Sequence, residues 1–262
     1  MAYRLAVGDR TVWLKYYSDE TRRFSLGVLD VCVRGLGVTP LRPPPHRSGE
    51  DAKRFEMRRL EELRDADVRV PEVVGGAPRM LVLTDIGRSL SQALARSAND
   101  PAADELTEAT VAAIADVHAR GLCLGQPVPR NIVVDDGAIG FIDFEEDPRE
   151  IMPLGAAQAR DWLIFAYGAA SHYRGRAETL GAAIARGLQR GDPIVAGLVH
   201  DAVDRLRPLE TLLTPLGRRA GRLLGALSAL RSATIALLVV VVALAIDYLQ
   251  DGDFDLLTFP YS

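Results

Sequence analysis

The chain has 262 residues, 48% of them hydrophobic and 25% charged, with a formal net charge of −4. This composition excludes a disordered or disulfide-stapled chain, because it supplies enough apolar side chains for a core larger than that of one small domain. The slightly acidic balance gives no general electrostatic reason to bind nucleic acid. Two cysteines, Cys32 and Cys123, are too few for a disulfide framework and predict a reducing compartment. Residues 1–15 alternate polar and apolar side chains, so no secretory signal is expected.

The first half of the chain predicts a small sheet and a prominent helix. Alternating apolar residues indicate two strands joined by a tight turn at Gly8, with Lys15 at the end of the second strand. An amphipathic helix is expected to bury Phe55, Leu60 and Leu63. In order, the expected elements are strands at 3–7 and 11–16, a helix at 24–36, a proline-rich loop at 37–50, a helix at 50–65, and strands at 68–74 and 80–84.

The second half predicts mainly helices around one short hairpin. The expected elements are helices at 89–97 and 102–119, a loop at 120–130, strands at 132–134 and 139–144 around a turn at 135–137, and mostly helix from 155 to 248. Strands first and helices last predict an α+β chain with two lobes. The small, sheet-containing lobe is expected at 1–85 and the larger helical lobe at 86–215.

Three polar residues mark the predicted hairpin and the helix before it. His118 ends a helix, Asn131 opens the first strand, and Asp143 closes the second. A hairpin would bring the amide and the carboxylate to one rim, where hard oxygen ligands can hold magnesium, as in enzymes of phosphoryl transfer. The alternative is structural: Asn131 caps a turn, and Asp143 belongs to an acidic loop with its neighbours at 145–147.

Five short segments, in order, resemble the protein-kinase-like superfamily, and most closely the bacterial lipopolysaccharide-core (Kdo/heptose) kinases and related small kinase-like proteins. They are Lys15 on a strand, Glu56 at the start of Glu-Met-Arg-Arg-Leu-Glu-Glu-Leu, Val-His-Ala-Arg-Gly at 117–121, Pro-Arg-Asn-Ile-Val-Val at 129–134 and Phe-Ile-Asp-Phe at 141–144. The resemblance extends over about residues 3 to 210 and rests on the order and spacing of the segments.

The resemblance implies a two-lobed kinase-like fold with ATP bound between the lobes. Lys15 would contact the α- and β-phosphates, and Glu56 would be its ion-pair partner. Only two lysines, Lys15 and Lys53, occur in the chain, and a compact ammonium suits a phosphate cleft better than a guanidinium. The alternatives are a solvated lysine at a strand end and, for Glu56, a surface charge like those at 61 and 62.

The remaining implied roles concern magnesium and the loop before the hairpin. Asn131 and Asp143 would hold Mg²⁺. Asp161 resembles a buried aspartate that braces the catalytic loop by accepting backbone N–H bonds. An ordinary carboxylate near the start of a helix is the alternative for Asp161.

The chain departs from the family pattern at three places. The family's catalytic loop reads His-Gly-Asp, whereas this chain has Leu124-Gly125-Gln126, and a glutamine cannot accept a proton near neutral pH. General-base help is typically worth about 10²–10⁴ in rate, so activity is expected to be low or absent. The glycine-rich phosphate cover is missing or reduced to the turn at Gly8, and the usual Asp-Phe-Gly reads Asp143-Phe144-Glu145.

Residues 232–246 form an uncharged apolar run near the C-terminus. As a helix this run measures about 22 Å, which is short against about 30 Å of bilayer hydrocarbon. Arginines precede it and aspartates follow it, which predicts a tail anchor with the kinase-like body on the cytoplasmic side of the inner membrane. A buried or dimer-forming terminal helix is the alternative. The expected segments are a basic-flanked apolar helix at 216–250 and an acidic tail at 251–262.

Three functional hypotheses follow from the sequence. The first is a membrane-associated, ATP-dependent phosphotransferase that acts with Mg²⁺ on a hydroxyl of a lipid-linked sugar or similar envelope component. The second is a pseudokinase that binds partners at the inner membrane without phosphoryl transfer, which Gln126 favours. The third is an unrelated α+β membrane protein in which the order of the segments is coincidental.

Overall fold

The computed structural model describes residues 2–8, 10–18, 38–45, 47–97, 101–213, 225, 226, 228–231 and 233, with backbone alone for 207–213. The strands are β1 (Ala2–Val7), β2 (Arg10–Tyr16), β3 (Val73–Ala77), β4 (Met80–Thr84), β5 (Arg88–Ser89), β6 (Ile132–Asp135) and β7 (Ala138–Phe141). The helices are α1 (Gly49–Asp65), α2 (Leu90–Arg96), α3 (Pro101–Ala119), α4 (Leu154–Ala169), α5 (Ala177–Gln189) and α6 (Pro193–Leu213). Short 3₁₀ turns lie at Thr39–Leu41, Pro148–Glu150 and Ala170–His172.

The N-terminal strands form a four-stranded antiparallel sheet in the order β1-β2-β4-β3. Gly8, at φ 63°, supplies the left-handed conformation that the β1–β2 turn needs. Because side chains alternate along a strand, Lys15 is buried while its neighbour Tyr16 is exposed. Phe55, Leu60 and Leu63 lie on the buried face of α1, as the amphipathic pattern predicted.

A second antiparallel sheet has the order β5-β6-β7. Its hairpin turns at Asp136 and Gly137, with φ values of 46° and 81°. Both central residues therefore have positive φ, the geometry that Asp-Gly favours in a two-residue hairpin loop. The predicted hairpin is confirmed, but β7 ends at Phe141 rather than at 144. Asp143 has a φ of 72°, and this left-handed residue cannot continue a strand.

The helices α3 to α6 form the larger part of the molecule. Trp162, Phe165 and Ala166 of α4 are buried, and one continuous core runs from Tyr17 near the sheet to Leu206 in α6. The expectation of an α+β chain with a small sheet and a helical lobe is therefore confirmed. The mostly helical region predicted from 155 onward is present to Leu213, divided among three helices.

The strand predicted at 68–74 is wrong. The N–H of Val68 bonds to the carbonyl of Leu63 and so belongs to the end of α1, and Asp67 has a φ of 55°. Pro71 has no N–H to donate to a ladder, so the strand begins only at Val73. The helix expected at 24–36, Cys32, the apolar run at 232–246 apart from residue 233, and the tail at 251–262 lie outside the described residues. Among the described residues, no helix is both long and apolar enough to cross a bilayer.

Candidate functional site

Lys15 lies at the centre of a cluster of three carboxylates. Its Nζ is 2.7 Å from Oε2 of Glu56, 2.5 Å from Oδ1 of Asp143 and 2.9 Å from Oε1 of Glu145. Glu56 is fully buried on α1, whereas Asp143 and Glu145 are partly exposed after β7. The cluster thus joins the first sheet, α1 and the second hairpin. One ammonium against three carboxylates leaves a formal charge of −2 at this place.

The charges in the cluster shift the ionisation of its members. Burial alone lowers the pKa of the Lys15 ammonium, but the charges of Glu56, Asp143 and Glu145 outweigh burial and raise that pKa well above its ordinary value. Burial also raises the pKa of Glu56, against the opposing effect of Lys15. Lys15 therefore stays charged at neutral pH.

Tyr17 completes the buried side of the cluster. Its hydroxyl donates a hydrogen bond of 2.7 Å to Oε2 of Glu56, the oxygen that also accepts from Lys15. Burial and the charge of Glu56 raise the pKa of Tyr17, so the phenol keeps its proton and remains a donor. These two donors hold the Glu56 carboxylate in one orientation. Of the three glutamates considered on α1, the structure brings Glu56 to Lys15, while Glu62 pairs with arginines and Glu61 is exposed.

Asn131 immediately precedes β6 and Asp143 follows β7 by two residues, so both lie at the same end of the second hairpin. The backbone carbonyl of Asn131 accepts from the N–H of Ile142 at 2.9 Å, one residue before Asp143. The amide Nδ2 of Asn131 donates to the backbone carbonyl of Gln126 at 3.1 Å. Because this bond directs the amide nitrogen toward the loop, Oδ1 of the buried Asn131 is the atom left to meet a ligand. The two residues therefore share one rim, as the hairpin pattern predicted.

The loop before this hairpin is braced by Asp161 of α4. Its carboxylate accepts from the N–H groups of Leu124 at 2.7 Å and Gly125 at 2.8 Å, and lies 3.0 Å from Nε2 of His118. Asp161 is completely buried, and each of its oxygens accepts a backbone N–H. The backbone that precedes Gln126 is thus held in place whatever side chain stands at position 126. His118 contacts the carboxylate of Asp161 and so helps to position it. None of the hydrogen bonds described for His118 reaches the Lys15 cluster.

Sequence reasoning missed a buried ionic network beside the site. Arg59 is fully buried; it donates to the carbonyl of Cys123 at 2.6 Å and forms ion pairs with Glu62 and Asp147. Arg149 bonds to the same two carboxylates, at 2.7 Å and 2.6 Å. A signal existed in the sequence, because Arg59 follows Glu56 by three positions and so shares its face of the helix. Burial raises the pKa of the Cys123 thiol, which leaves it protonated and unreactive.

The carboxylates around Lys15 are candidate ligands for a divalent cation, although the ammonium of Lys15 now contacts all three. Glu56, Asp143 and Glu145 each offer an oxygen, and these three oxygens lie within 4.8 Å of one another. Carboxylate and amide oxygens are the ligands that Mg²⁺ prefers, and Mg²⁺ usually keeps several waters beside one or two carboxylates and substrate phosphates. Asp143 and Glu145 are the partly exposed members and are therefore the ones that a hydrated ion reaches. Glu145 was not among the metal ligands expected from the sequence.

Comparison with known proteins gives one partial likeness. No known family profile matches the chain. A protein of Haemophilus influenzae, named an uncharacterized protein, is 33% identical over 107 residues. The aligned region covers 40% of this chain and 42% of that protein, so the chain spans less than half the length of the relative it matches. This likeness transfers no activity.

Proposed function

We propose that this chain has a protein-kinase-like fold and binds magnesium–ATP at the Lys15 cluster. The observation that carries the proposal is the contact of one ammonium with both Glu56 of α1 and Asp143 of the second hairpin. A lysine that is held by a buried glutamate can bind phosphate oxygens, and the partly exposed aspartate that it faces can hold a metal ion beside them. The position of Asn131 on the same rim and the brace at Asp161 add further support.

In this proposal each residue has a distinct task. Lys15 binds the α- and β-phosphates, and Glu56 with Tyr17 keeps the ammonium in place. Asn131 and Asp143 would hold the magnesium ion, and Glu145 belongs to the same group of carboxylates as Asp143. The metal supplies neutralisation of phosphate charge, which phosphoryl transfer requires more than it requires proton removal. Lys15 would have to exchange its present contacts with Asp143 and Glu145 for the phosphates of the nucleotide.

The proposed acceptor is a hydroxyl of a lipid-linked sugar or similar envelope component at the cytoplasmic face of the inner membrane. Two sequence features support this choice. The ordered segments resemble lipopolysaccharide-core kinases, and the uncharged run at 232–246 has arginines before it and aspartates after it. The acceptor proposal therefore stands on the sequence, independently of the cluster geometry.

A second candidate function is nucleotide or partner binding without phosphoryl transfer. Gln126 favours it, because it stands where the resembling kinases have the aspartate that accepts the acceptor proton. A glutamine carbonyl can orient a hydroxyl but cannot take its proton. The hydrogen bonds of Asp161 hold the loop without any contribution from the side chain at 126, so the fold does not depend on an acid there.

The decisive experiment is thermal unfolding of the purified full-length chain with Mg-ATP, ATP plus EDTA, or Mg²⁺ alone. A ligand at 100 times its Kd adds about 2.7 kcal/mol to stability, so Mg-ATP is expected to raise the melting temperature more than either component. Lys15→Met is expected to abolish that increment, and Lys53→Met, which removes the other lysine, to keep it. Absence of any Mg-ATP effect on the parent chain at millimolar concentration would contradict the binding proposal.

A transfer assay then separates the two candidate functions. The parent chain and Gln126→Asp are each incubated with γ-labelled ATP and an envelope fraction. Transfer by the parent chain supports the phosphotransferase. If both forms bind nucleotide and only Gln126→Asp transfers phosphate, the result supports a binding function without phosphoryl transfer.

A further inference from the structure

A second charged pocket lies beside the first half of α1. It has a volume of about 560 Å³, and its lining includes Arg47, Arg54 and Arg58 around the side chain of Phe55. Phe55 and Glu56 are adjacent on the helix, but the arginine pocket and the Lys15 cluster have no residue in common. The functional assignment of the Lys15 cluster therefore does not explain the arginine pocket.

Two of the arginines share one aromatic platform. The guanidinium of Arg47 lies 4.0 Å from the ring centroid of Phe55, and that of Arg58 lies 5.0 Å from it. Stacking on an aromatic ring fixes the plane of a guanidinium while its N–H groups remain available at the edge. The pocket thus holds two guanidinium groups against one aromatic ring.

Within the described ranges, not every N–H donor in the pocket has a hydrogen-bond acceptor. The NH1 group of Arg47 is buried and has no acceptor among the residues that the structure describes. Leaving such a charged donor without a partner is costly, so an acceptor at this place would be stabilising. The other terminal nitrogen, NH2, bonds to Glu150 at 2.7 Å. Glu150 therefore orients Arg47, while the buried NH1 group has no hydrogen-bond partner in the described part of the chain.

The charges of the pocket leave a positive surplus. Glu150 pairs with Arg47, and Asp51 pairs with Arg54. For Arg58, no carboxylate partner occurs within the described part of the chain. Three guanidinium groups against two carboxylates favour an anion, and guanidinium forks match the oxygens of phosphate in pairs.

We propose that this pocket binds the phosphate group of a phosphomonoester. The dianion supplies an acceptor for NH1 of Arg47 and a counter-charge for Arg58. Arg54 contributes a third guanidinium to the lining of the pocket, and its ion pair with Asp51 is exposed to solvent and therefore weak. A phosphomonoester occurs both in a soluble sugar phosphate and in the headgroup of phosphatidic acid. Binding experiments can distinguish these two ligands.

The test measures binding to the full-length chain without nucleotide, at constant ionic strength set with chloride. Calorimetric titrations use inorganic phosphate and glycerol 3-phosphate, and sedimentation uses vesicles of phosphatidylcholine with or without phosphatidic acid. Arg54→Gln/Arg58→Gln removes two exposed arginines of the pocket, and Arg64→Gln removes an exposed arginine from the far end of α1. Melting temperatures of all forms verify that the variants are folded.

The expected result is that the double variant loses at least about tenfold in affinity while Arg64→Gln binds like the parent chain. Saturable binding of inorganic phosphate or glycerol 3-phosphate identifies the ligand as a soluble phosphate compound. Binding only to vesicles with phosphatidic acid identifies the lipid headgroup. Equal binding by the parent chain and the double variant, or no binding in any arm, would overturn the proposal.

Discussion

Nζ of Lys15 lies 2.5 Å from Oδ1 of Asp143, although 128 positions separate the two residues in the chain. The lysine belongs to β2 of the first sheet, and the aspartate follows β7 of the second hairpin. The contact therefore depends on the relative placement of two hairpins that fold from distant parts of the sequence. Asp143 also has a left-handed backbone, which directs its carboxylate in a way that a continued strand would not allow.

If the proposed site binds magnesium–ATP, Asp143→Asn is expected to remove the magnesium dependence of nucleotide binding and to leave the fold intact. Asparagine tolerates the positive φ of this position but gives up the negative charge that attracts the metal. Lys15 retains its pairs with Glu56 and Glu145. The measurement is the difference in melting temperature between ATP with Mg²⁺ and ATP with EDTA. Asp136→Asn is the matched control, since Asp136 also has positive φ but lies exposed in a hairpin turn.

Asp161→Asn is expected to destabilise the chain by about 3 kcal/mol, because an amide nitrogen would face one of the two backbone N–H donors that the carboxylate now satisfies. Urea unfolding at neutral pH measures the change. The control is Asp116→Asn, which breaks an exposed pair with Arg190 and is expected to cost less than about 1 kcal/mol. Similar losses for both variants would show that the brace at Asp161 contributes little.

Gly125→Ala is expected to destabilise the loop through two separate effects. Gly125 has a φ of 89°, which costs about 1–2 kcal/mol for a residue with a Cβ. An added Cβ would also lie 3.0 Å from the carbonyl oxygen of Glu146. Gly137→Ala shares the first effect but has open space around its Cβ, so the difference between the two unfolding free energies measures the contact alone. Equal losses of unfolding free energy in the two variants would mean that the backbone at Glu146 shifts to accommodate the added Cβ without an energetic penalty.

Arg149→Gln is expected to reduce stability at pH 7 by about 1–2 kcal/mol, and by less in acid. Burial alone raises the pKa of Asp147 and of Glu62, but hydrogen bonds from Arg149 and the charge of Arg59 outweigh it and lower both pKa values. A carboxyl group with a lowered folded pKa contributes stability above its unfolded value near pH 4, and loses that contribution as the pH falls through the folded value.

Urea unfolding at pH 7, 5 and 3 tests the pH dependence. The difference in unfolding free energy between the parent chain and Arg149→Gln should have its full size at pH 7 and pH 5 and should be smaller at pH 3. Arg190→Gln removes one member of an exposed pair and should show a small effect at every pH. A gap of constant size down to pH 3 would mean that Arg149 acts through packing and not through these carboxylates.

Local signals in the sequence predict much of the fold. The Asp-Gly turn at 136–137, the glycine between β1 and β2, and the spacing of Phe55, Leu60 and Leu63 each determine a short piece of backbone through neighbouring residues. The segment at 68–74 shows the limit of this reasoning. Its valines have the composition of a strand, but the end of α1 and Pro71 take up the backbone groups that a strand would need.

The site was only partly visible in the sequence. Asn131 and Asp143 follow from the hairpin, because pairing fixes which residues share a rim. No local rule of this kind predicts the cluster around Lys15. Whether Tyr17 and Glu145 face it depends on how α1 and the second hairpin pack against the first sheet, and sequence spacing does not specify that packing. The burial of Arg59 is of the same kind, since its partner carbonyl lies 64 positions away.

The hydrogen bond from Arg59 to the carbonyl of Cys123 also connects separate parts of the molecule. It links α1, which carries Glu56, to the loop in front of the second hairpin, whereas Lys15 belongs to the first sheet. The ion pair of Lys15 and Glu56 is therefore a junction between sheet and helix, and a pair of spectroscopic labels placed on β2 and α1 would report any change in its length.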